Sequence, residues 1–490
     1  MLKTSQAIVE QTSSDQVSSR ELFIDLRGVP RGRLGAELER SVRAAIRSGR
    51  LRAGARLPST RALAADLGVS RSVVSQAFEQ LAAEGYLTTR PGAVACVSDI
   101  AGGRVSGRKA STRTDNRAVA PARAEIDLGP GGPNLAGVPR AALAQAVRGA
   151  LVTLTDAELG YGDSRGLPRL REAIADYLGR VRGAVIAPDD LVVVNGFAQG
   201  LVVVARMLHE LGIAEAGVED PGSVHTSAHL ARQGIATAPV PVDDQGIDIT
   251  AARSGNVPRL RAVMVTPAHQ FPTGAVLSPA RRLALVEWAE RNDGLVIEDD
   301  YDAEYRYDHQ PVGTLQGIAP DRVILGGSVS KTLAPGMRLG WLAVPAALSA
   351  DAARHKAAID HMAPVLEQAA LAELLTSGSY ERHIRRNRAA YKRRRDLLVE
   401  LVAEELPEAQ VLGTSAGMHL VVSTPWVTDE AAVEQQAARH GVQVGGLAAY
   451  RRAPGPPGFV LGYGHLSDDR LRRGVKAFAA AVRTCGARVG

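Results

Sequence analysis

Cysteine is nearly missing from this chain of 490 residues, which holds only Cys96 and Cys485. Two thiols are too few for a disulfide framework or a cysteine-based zinc site, and their scarcity suits a reducing compartment. Long apolar runs are missing too, so no segment reads as a membrane span although 45% of the residues are apolar. The opening residues, Met1-Leu2-Lys3-Thr4-Ser5-Gln6, lack the apolar centre of a secretory signal, and a cytoplasmic location is expected. No solenoid-type repeat is evident. The apolar content supports large cores, and 490 residues exceed what one core organises, so two or three domains are expected.

An excess of charge is confined to one end. Residues 1–125 contain 20 Lys+Arg and 12 Asp+Glu, which leaves 38 and 40 for residues 126–490. A basic segment joined to a near-neutral one suggests nucleic-acid contact at that end alone. A solvated basic tail explains the charge, taken by itself, equally well.

Pattern separates these readings. Leu34, Leu38, Val42 and Ile46 recur every four residues and mark an amphipathic helix that Gly49 ends. Ser59 is placed to cap a second helix through Leu67, Gly68 turns the chain, and Ser70 is placed to cap a third. That third helix carries Val73, Val74, Ala77, Phe78 and Leu81 on its buried side. Two β-prone stretches follow, Tyr86–Thr89 and Val94–Val97, joined by Arg90-Pro91-Gly92. Helix, helix, turn, helix and hairpin make a winged helix-turn-helix over residues 31–98. Arg71, Ser72, Ser75 and Gln76 are the exposed positions at the start of its third helix, where short donors and an arginine reach base edges. Arg61 suits a phosphate or a guanine, and the wing tip at Arg90 and Gly92 suits the minor groove or the phosphates. Each of these residues alone reads more readily as a solvated surface group; the ordered combination is the specific signal.

Residues 99–124 are Gly, Ser, Arg, Thr and Ala with almost no large apolar side chains, the composition of a flexible linker. Beyond it, helical patterns alternate with short apolar runs such as Leu191–Val194, Ala262–Val265, Leu295–Ile297 and Val323–Leu325. This predicts an α/β domain with a mainly parallel sheet over residues 125–490. After the last of these runs comes Gly327-Ser328-Val329-Ser330-Lys331-Thr332-Leu333-Ala334-Pro335-Gly336-Met337-Arg338. A lysine there can form a Schiff base with an aldehyde, while hydroxyls and a guanidinium hold a phosphate; these are the demands of pyridoxal 5'-phosphate, PLP. Asp299, at the end of an apolar strand, can hold a pyridinium nitrogen protonated, and Tyr301 can bond a phenolic oxygen. An acidic loop solvated at a strand end is the plainer alternative. Gly196, Phe197 and Ala198, between a strand and a helix, offer backbone N–H groups to phosphate oxygens.

Residues 49–64 and 67–71 resemble the GntR family of winged helix-turn-helix regulators over residues 31–98. That resemblance implies that Arg61, Arg71 and Ser72 touch DNA and that Gly92 shapes the wing. The remainder looks like a fold-type I, aspartate aminotransferase-like PLP domain, on Tyr161-Gly162-Asp163, Glu219-Asp220-Pro221-Gly222 and Thr266–Gly274. The last of these, with Ser330–Gly336, is particularly similar to the MocR/GabR subfamily, GntR heads fused to aminotransferase-like bodies. The resemblance makes Lys331 the Schiff-base lysine, Asp299 the partner of the pyridine nitrogen and Tyr301 the donor to the phenolic oxygen. It assigns the phosphate to Ser328, Ser330, Arg338 and the backbone around Gly196. It implies a head-to-tail homodimer in which Tyr161 reaches the partner subunit's phosphate.

Two positions depart from the family. Ser223 stands where members usually have a tyrosine stacked on the cofactor, and His225 where some have a carboxylate-binding arginine. The C-terminal strand Phe459–Tyr463 also lacks an arginine, although Arg451 and Arg452 precede it. The expected function is a PLP-dependent regulator acting on operator DNA. It senses PLP, as in the PdxR group that controls vitamin B6 synthesis, or an amino compound such as GABA, taurine or D-alanine. The alternatives are an active aminotransferase with an accessory head, and a DNA-binding scaffold with a vestigial body. The regulator reading allows residual transamination at most.

Overall fold

The computed structural model describes residues 24–89, 93–99, 124–250, 260–307, 312–413 and 415–486. The chain divides into two compact units, residues 1–121 and 122–490. Most of the expected linker and the wing tip, including Arg90 and Gly92, lie outside the described residues.

In the first unit, helix α1 (Leu34–Arg47) buries Leu38, Val42 and Ile46, so the four-residue stripe is the core face. Helix α2 (Thr60–Leu67) starts where the Ser59 hydroxyl accepts the Ala62 N–H at 3.2 Å, and ends at Gly68 with φ 64°. Helix α3 (Arg71–Ala83) buries Val74, Ala77, Phe78 and Leu81, whereas Val73 is only half-buried. Ser70 occupies the capping position without capping, because its hydroxyl pairs with that of Ser72 at 2.8 Å. The hairpin is shorter than its β-prone stretches: β1 (Leu87–Thr88) pairs antiparallel with β2 (Cys96–Val97). Sequence did not show that residues 55–57 also join β2, through Val97 N–H to Ala55 and Leu57 N–H to Ala95.

The second unit opens with β3 (Ile126–Asp127) and helix α4 (Arg140–Thr153). Its centre is an eight-stranded sheet containing β4 (Leu191–Val194), β5 (Glu215–Asp220), β6 (Ala236–Asp243), β7 (Gly246–Ile247), β8 (Ala262–Val265), β9 (Leu295–Asp299), β10 (Val323–Ser328) and β11 (Gly340–Ala343). The spatial order is 4-11-10-9-8-5-6-7, with β11 antiparallel to both neighbours and β7 antiparallel to β6. Strands β4, β8 and β10 bury nearly every side chain because helices cover both faces. Val192, Val194, Ile297 and Ile324 form one core with helix α6 (Phe197–Glu210), while Val193 and Leu325 belong to the other face. A four-stranded antiparallel sheet lies further along, with β12 (Gln410–Leu412), β13 (His419–Ser423), β15 (Gly445–Gly446) and β16 (Gly458–Gly462). Strand β14 (Val442–Gln443) pairs with β3 and ties this part to the start of the unit. Among the described residues no helix is long and apolar enough to cross a membrane.

Candidate functional site

Strands β4, β5, β8, β9 and β10 run in one direction and end at one edge of the sheet. Open α/β sheets place ligands beyond such an edge. There a cavity of about 330 Å³ brings together Asp299, Tyr301, Ser328, Ser330, Lys331 and Arg338, with Phe197 and Ala198 at its wall. Lys331 Nζ donates to the Gly131 carbonyl at 2.6 Å. Burial holds this amine below the usual lysine range against the opposing pull of Asp302 and Asp299, and a lowered amine is a better nucleophile. Asp299 ends β9, and its carboxyl is pushed up to about 8 by burial first, then by Asp300, Asp302 and Glu219. A cation placed against it would draw that value down.

The other end of the donor set is cationic. Arg338 has φ 48°, and its Nη2 donates to the Asn195 carbonyl at 2.8 Å. A β-carbon on Gly196 would fall 2.8 Å from that Nη2, so glycine is required for the guanidinium to lie over the backbone. The N–H of Gly196 itself turns back to Val194, at 2.9 Å, and is not free for a phosphate. The first amides of α6, from Phe197 and Ala198, have no partner within the helix and belong to residues lining the cavity. Ser328 Oγ accepts the Ser330 N–H at 3.4 Å, which fixes the turn leading to Lys331. Phosphate donors, an amine and a buried acid therefore line one cavity, the chemistry that PLP requires. Tyr161 is not brought there: it is 97% exposed, edge-on to His361.

Neither arginine before the last strand of the small sheet reaches the cavity. Arg452 is spent on Thr237, through its carbonyl at 2.7 Å and hydroxyl at 2.5 Å, and Arg451 on Pro456 and Glu430. Ser223 caps helix α7 (Val224–Arg232) by accepting the Thr226 N–H at 3.2 Å. Its hydroxyl thus has a structural use where the family has an aromatic ring, while His225 lines the cavity.

Comparison with known proteins adds two domain matches. Residues 34–97 match the bacterial regulatory proteins of the gntR family, and residues 125–477 match aminotransferase class I and II. The probable rhizopine catabolism regulatory protein MocR of Rhizobium meliloti is 32% identical, over 91% of this chain and 93% of its own. The chain belongs to the MocR/GabR subfamily. The pyridoxine biosynthesis transcriptional regulator PdxR of Corynebacterium glutamicum is 33% identical, over 89% of this chain and 93% of its own. Among solved structures, the multiple substrate aminotransferase of Thermococcus profundus matches with a TM-score of 0.69 at 25% identity, covering 76% of this chain and 94% of that one.

In this MocR/GabR-type chain the head presents Arg61, Arg71, Ser72 and Gln76 to solvent, and Ser75 half-buried. The body contains groups that sequence reasoning passed over. Glu219 lines the cavity, accepts from Thr266 N at 3.0 Å, Thr266 Oγ1 at 2.6 Å and Gln270 Nε2 at 3.1 Å, and is pushed up to about 7 by burial. His269 and Asp302 form a buried pair at 3.0 Å beside Tyr301. Arg182, on α5 (Pro168–Arg182), holds Asp300 through two bonds of 2.8 and 3.1 Å. His269 stands inside the quoted stretch Thr266–Gly274 and Asp302 directly follows Tyr301, so an ionisable residue in or beside each stretch was the signal available.

Proposed function

We propose that this chain is a cytoplasmic, dimeric regulator that binds operator DNA through its GntR head and takes PLP itself as its signal. One observation supports this most directly. The cavity is lined by Lys331, Asp299, Tyr301, Ser328 and Ser330, while Arg338, at the phosphate end, is the one arginine among its described lining residues. In this reading Lys331 is the point of covalent attachment and Asp299 faces the pyridine nitrogen. Tyr301 donates to the phenolic oxygen, while Ser328, Ser330, Arg338 and the Phe197 and Ala198 amides hold the phosphate. Tyr161, exposed in the single chain, completes the phosphate site of the partner subunit in a head-to-tail dimer. Bound PLP supplies an aldehyde that captures amines and a ring that accepts electrons. The protein supplies a lysine with a lowered proton affinity, an acid at the far end of the cavity, and amides and a guanidinium that orient the phosphate.

The PdxR relative is named for pyridoxine biosynthesis, and control of vitamin B6 metabolism is the role adopted for this chain. Occupation of the cavity changes operator affinity by the difference in PLP affinity between DNA-competent and DNA-incompetent arrangements. The test is a gel shift on the DNA upstream of the gene, titrated with PLP alone and then with amino compounds. PLP alone is expected to move the binding curve. An unchanged curve with PLP, together with a shift by one amino compound, overturns the vitamin-sensing reading; steady-state transamination at ordinary enzymatic rates overturns the regulatory one.

A further inference from the structure

Beside Tyr301 lies a buried trio that the cofactor donor set does not include, although one member, His419, also lines the cavity. His269 leaves the loop after β8, Asp302 the loop after β9, and His419 begins β13. His269 Nδ1 lies 3.0 Å from Asp302 Oδ2 and 3.2 Å from the Tyr301 hydroxyl. The chain at Gly417 closes over the pair: a β-carbon there would stand 2.1 Å from His269 Cε1 and 2.7 Å from Asp302 Oδ2. His419 Nε2 donates to the Pro272 carbonyl at 3.2 Å, and burial keeps that ring well below the usual histidine range, so it is neutral.

A carboxylate oxygen only accepts, so the nitrogen facing Asp302 carries a proton, whether His269 is neutral or cationic. The same nitrogen cannot then accept the tyrosine's proton. It donates to the phenolic oxygen of Tyr301 instead, and the tyrosine's own O–H is left to point elsewhere. Burial, followed by Asp302, Asp299 and Glu219, keeps Tyr301 well above the usual tyrosine range, so that O–H is present. Asp302 is the competing acceptor for it within the protein, and the cavity that Tyr301 lines is the other direction.

We propose that His269, oriented by Asp302, is a positioning residue that makes Tyr301 a hydrogen-bond donor into the cavity, toward the phenolic oxygen of PLP. The inference rests on the cofactor reading above. Accepting one hydrogen bond strengthens a hydroxyl as donor of another. Donation to the cofactor's oxygen favours the form in which the Lys331 nitrogen has lost its proton, and so lowers the pH at which the yellow chromophore titrates. The titratable groups facing this trio are Asp299, Glu219, Lys331, Glu304, Tyr307 and Tyr463, and neither they nor His419 is altered by the test.

The test compares two neutral replacements. His269→Asn returns a donor N–H near the Nδ1 position, whereas His269→Gln places it near Nε2. Absorbance of the PLP-bound protein is followed against pH, with melting of the PLP-free protein as the fold control. The Gln variant is expected to titrate about one pH unit higher than the wild type, and the Asn variant close to it. In a Tyr301→Phe background the Gln substitution is expected to add nothing. Equal titration of the Asn and Gln variants, or a Gln shift that persists without the tyrosine hydroxyl, overturns the proposal. Nitrogen-15 NMR of the unsubstituted protein checks the same point, and a His269 ring proton confined to Nε2 also overturns it. A wild-type protein that retains no PLP sinks the cofactor reading itself, a result separable from all of these.

Discussion

Replacing Gly196 with alanine probes the phosphate end of the cavity without removing any donor from it. Gly196 sits at φ 78° and ψ 161°, a conformation that costs a residue with a side chain on the order of 1–3 kcal/mol. Its added β-carbon would stand 2.8 Å from Arg338 Nη2 and 3.0 Å from both Cζ and Nη1. Those distances are too short to hold, so the guanidinium swings away and gives up its 2.8 Å bond to Asn195. Hydrogen bonds to a charged group contribute roughly 1.5–3 kcal/mol. Losing that much on PLP binding corresponds to an affinity about ten- to a hundredfold lower. The assay is an absorbance titration of the PLP-free protein with PLP, beside Arg338→Met as the direct deletion. Both substitutions are expected to fall in the same range, and the alanine variant is expected also to melt below the wild type. An alanine variant that binds PLP within twofold of the wild type, while Arg338→Met does not, refutes the cradle formed by Gly196 and Arg338.

Arg71→Ala, at the exposed start of α3, is expected to weaken operator binding by about 1–3 kcal/mol; Arg472→Ala, exposed on the body's last helix, should not. Fluorescence anisotropy with labelled DNA measures both, and equal effects would demote Arg71 to general surface charge. Ser59→Ala is expected to cost the head about 1 kcal/mol, because its hydroxyl caps α2, and Ser70→Ala less, because its hydroxyl bonds only Ser72. Urea unfolding monitored on the head reads that difference. Glu219 and Glu298 are pushed up from 4.5 to about 7, chiefly by burial. The folded state therefore binds their protons more tightly than the unfolded chain does. Their contribution to stability is complete below pH 4.5 and is lost as pH rises through about 7. The PLP-free protein is expected to melt lower at alkaline than at mildly acidic pH, with a smaller drop in Glu219→Gln; an identical drop in that variant counts against the Glu219 assignment.

The parts of the fold that show in the sequence are those decided locally. Leu191–Val194 and Ala262–Val265 are strands along their whole predicted length, because continuous apolar runs match strands buried on both faces. Pro279–Arg291 begins where Ser278 accepts the Arg281 N–H, a cap written in two adjacent residues. Strand β5 escaped notice because its apolar centre is short and acidic residues flank it. Helix Ser379–Glu405 escaped notice because its buried residues are interleaved with arginines. The same division holds at the site. Lys331, Asp299 and Arg338 stand in motifs that carry their chemistry with them. The contact between His269 and Asp302, 33 residues apart, exists only once β8 and β9 lie side by side. For Arg451 and Arg452, proximity to a strand in sequence says nothing of where a long side chain is spent.

The run from Glu298 to Glu304 alternates in what it serves. Asp299 and Tyr301 line the cavity, while Glu298 accepts the Leu315 and Gln316 amides and Asp300 is gripped by Arg182. Asp302 holds His269, and Tyr177 donates to Glu304 at 3.5 Å. No ionisable position in this stretch is therefore spare, and replacing any of them disturbs either the ligand or the scaffold beneath it. Lineages that retune such a receptor would have to leave it alone and vary other parts of the lining instead. Ser223 and His225, where this chain already departs from its kin, belong to that lining.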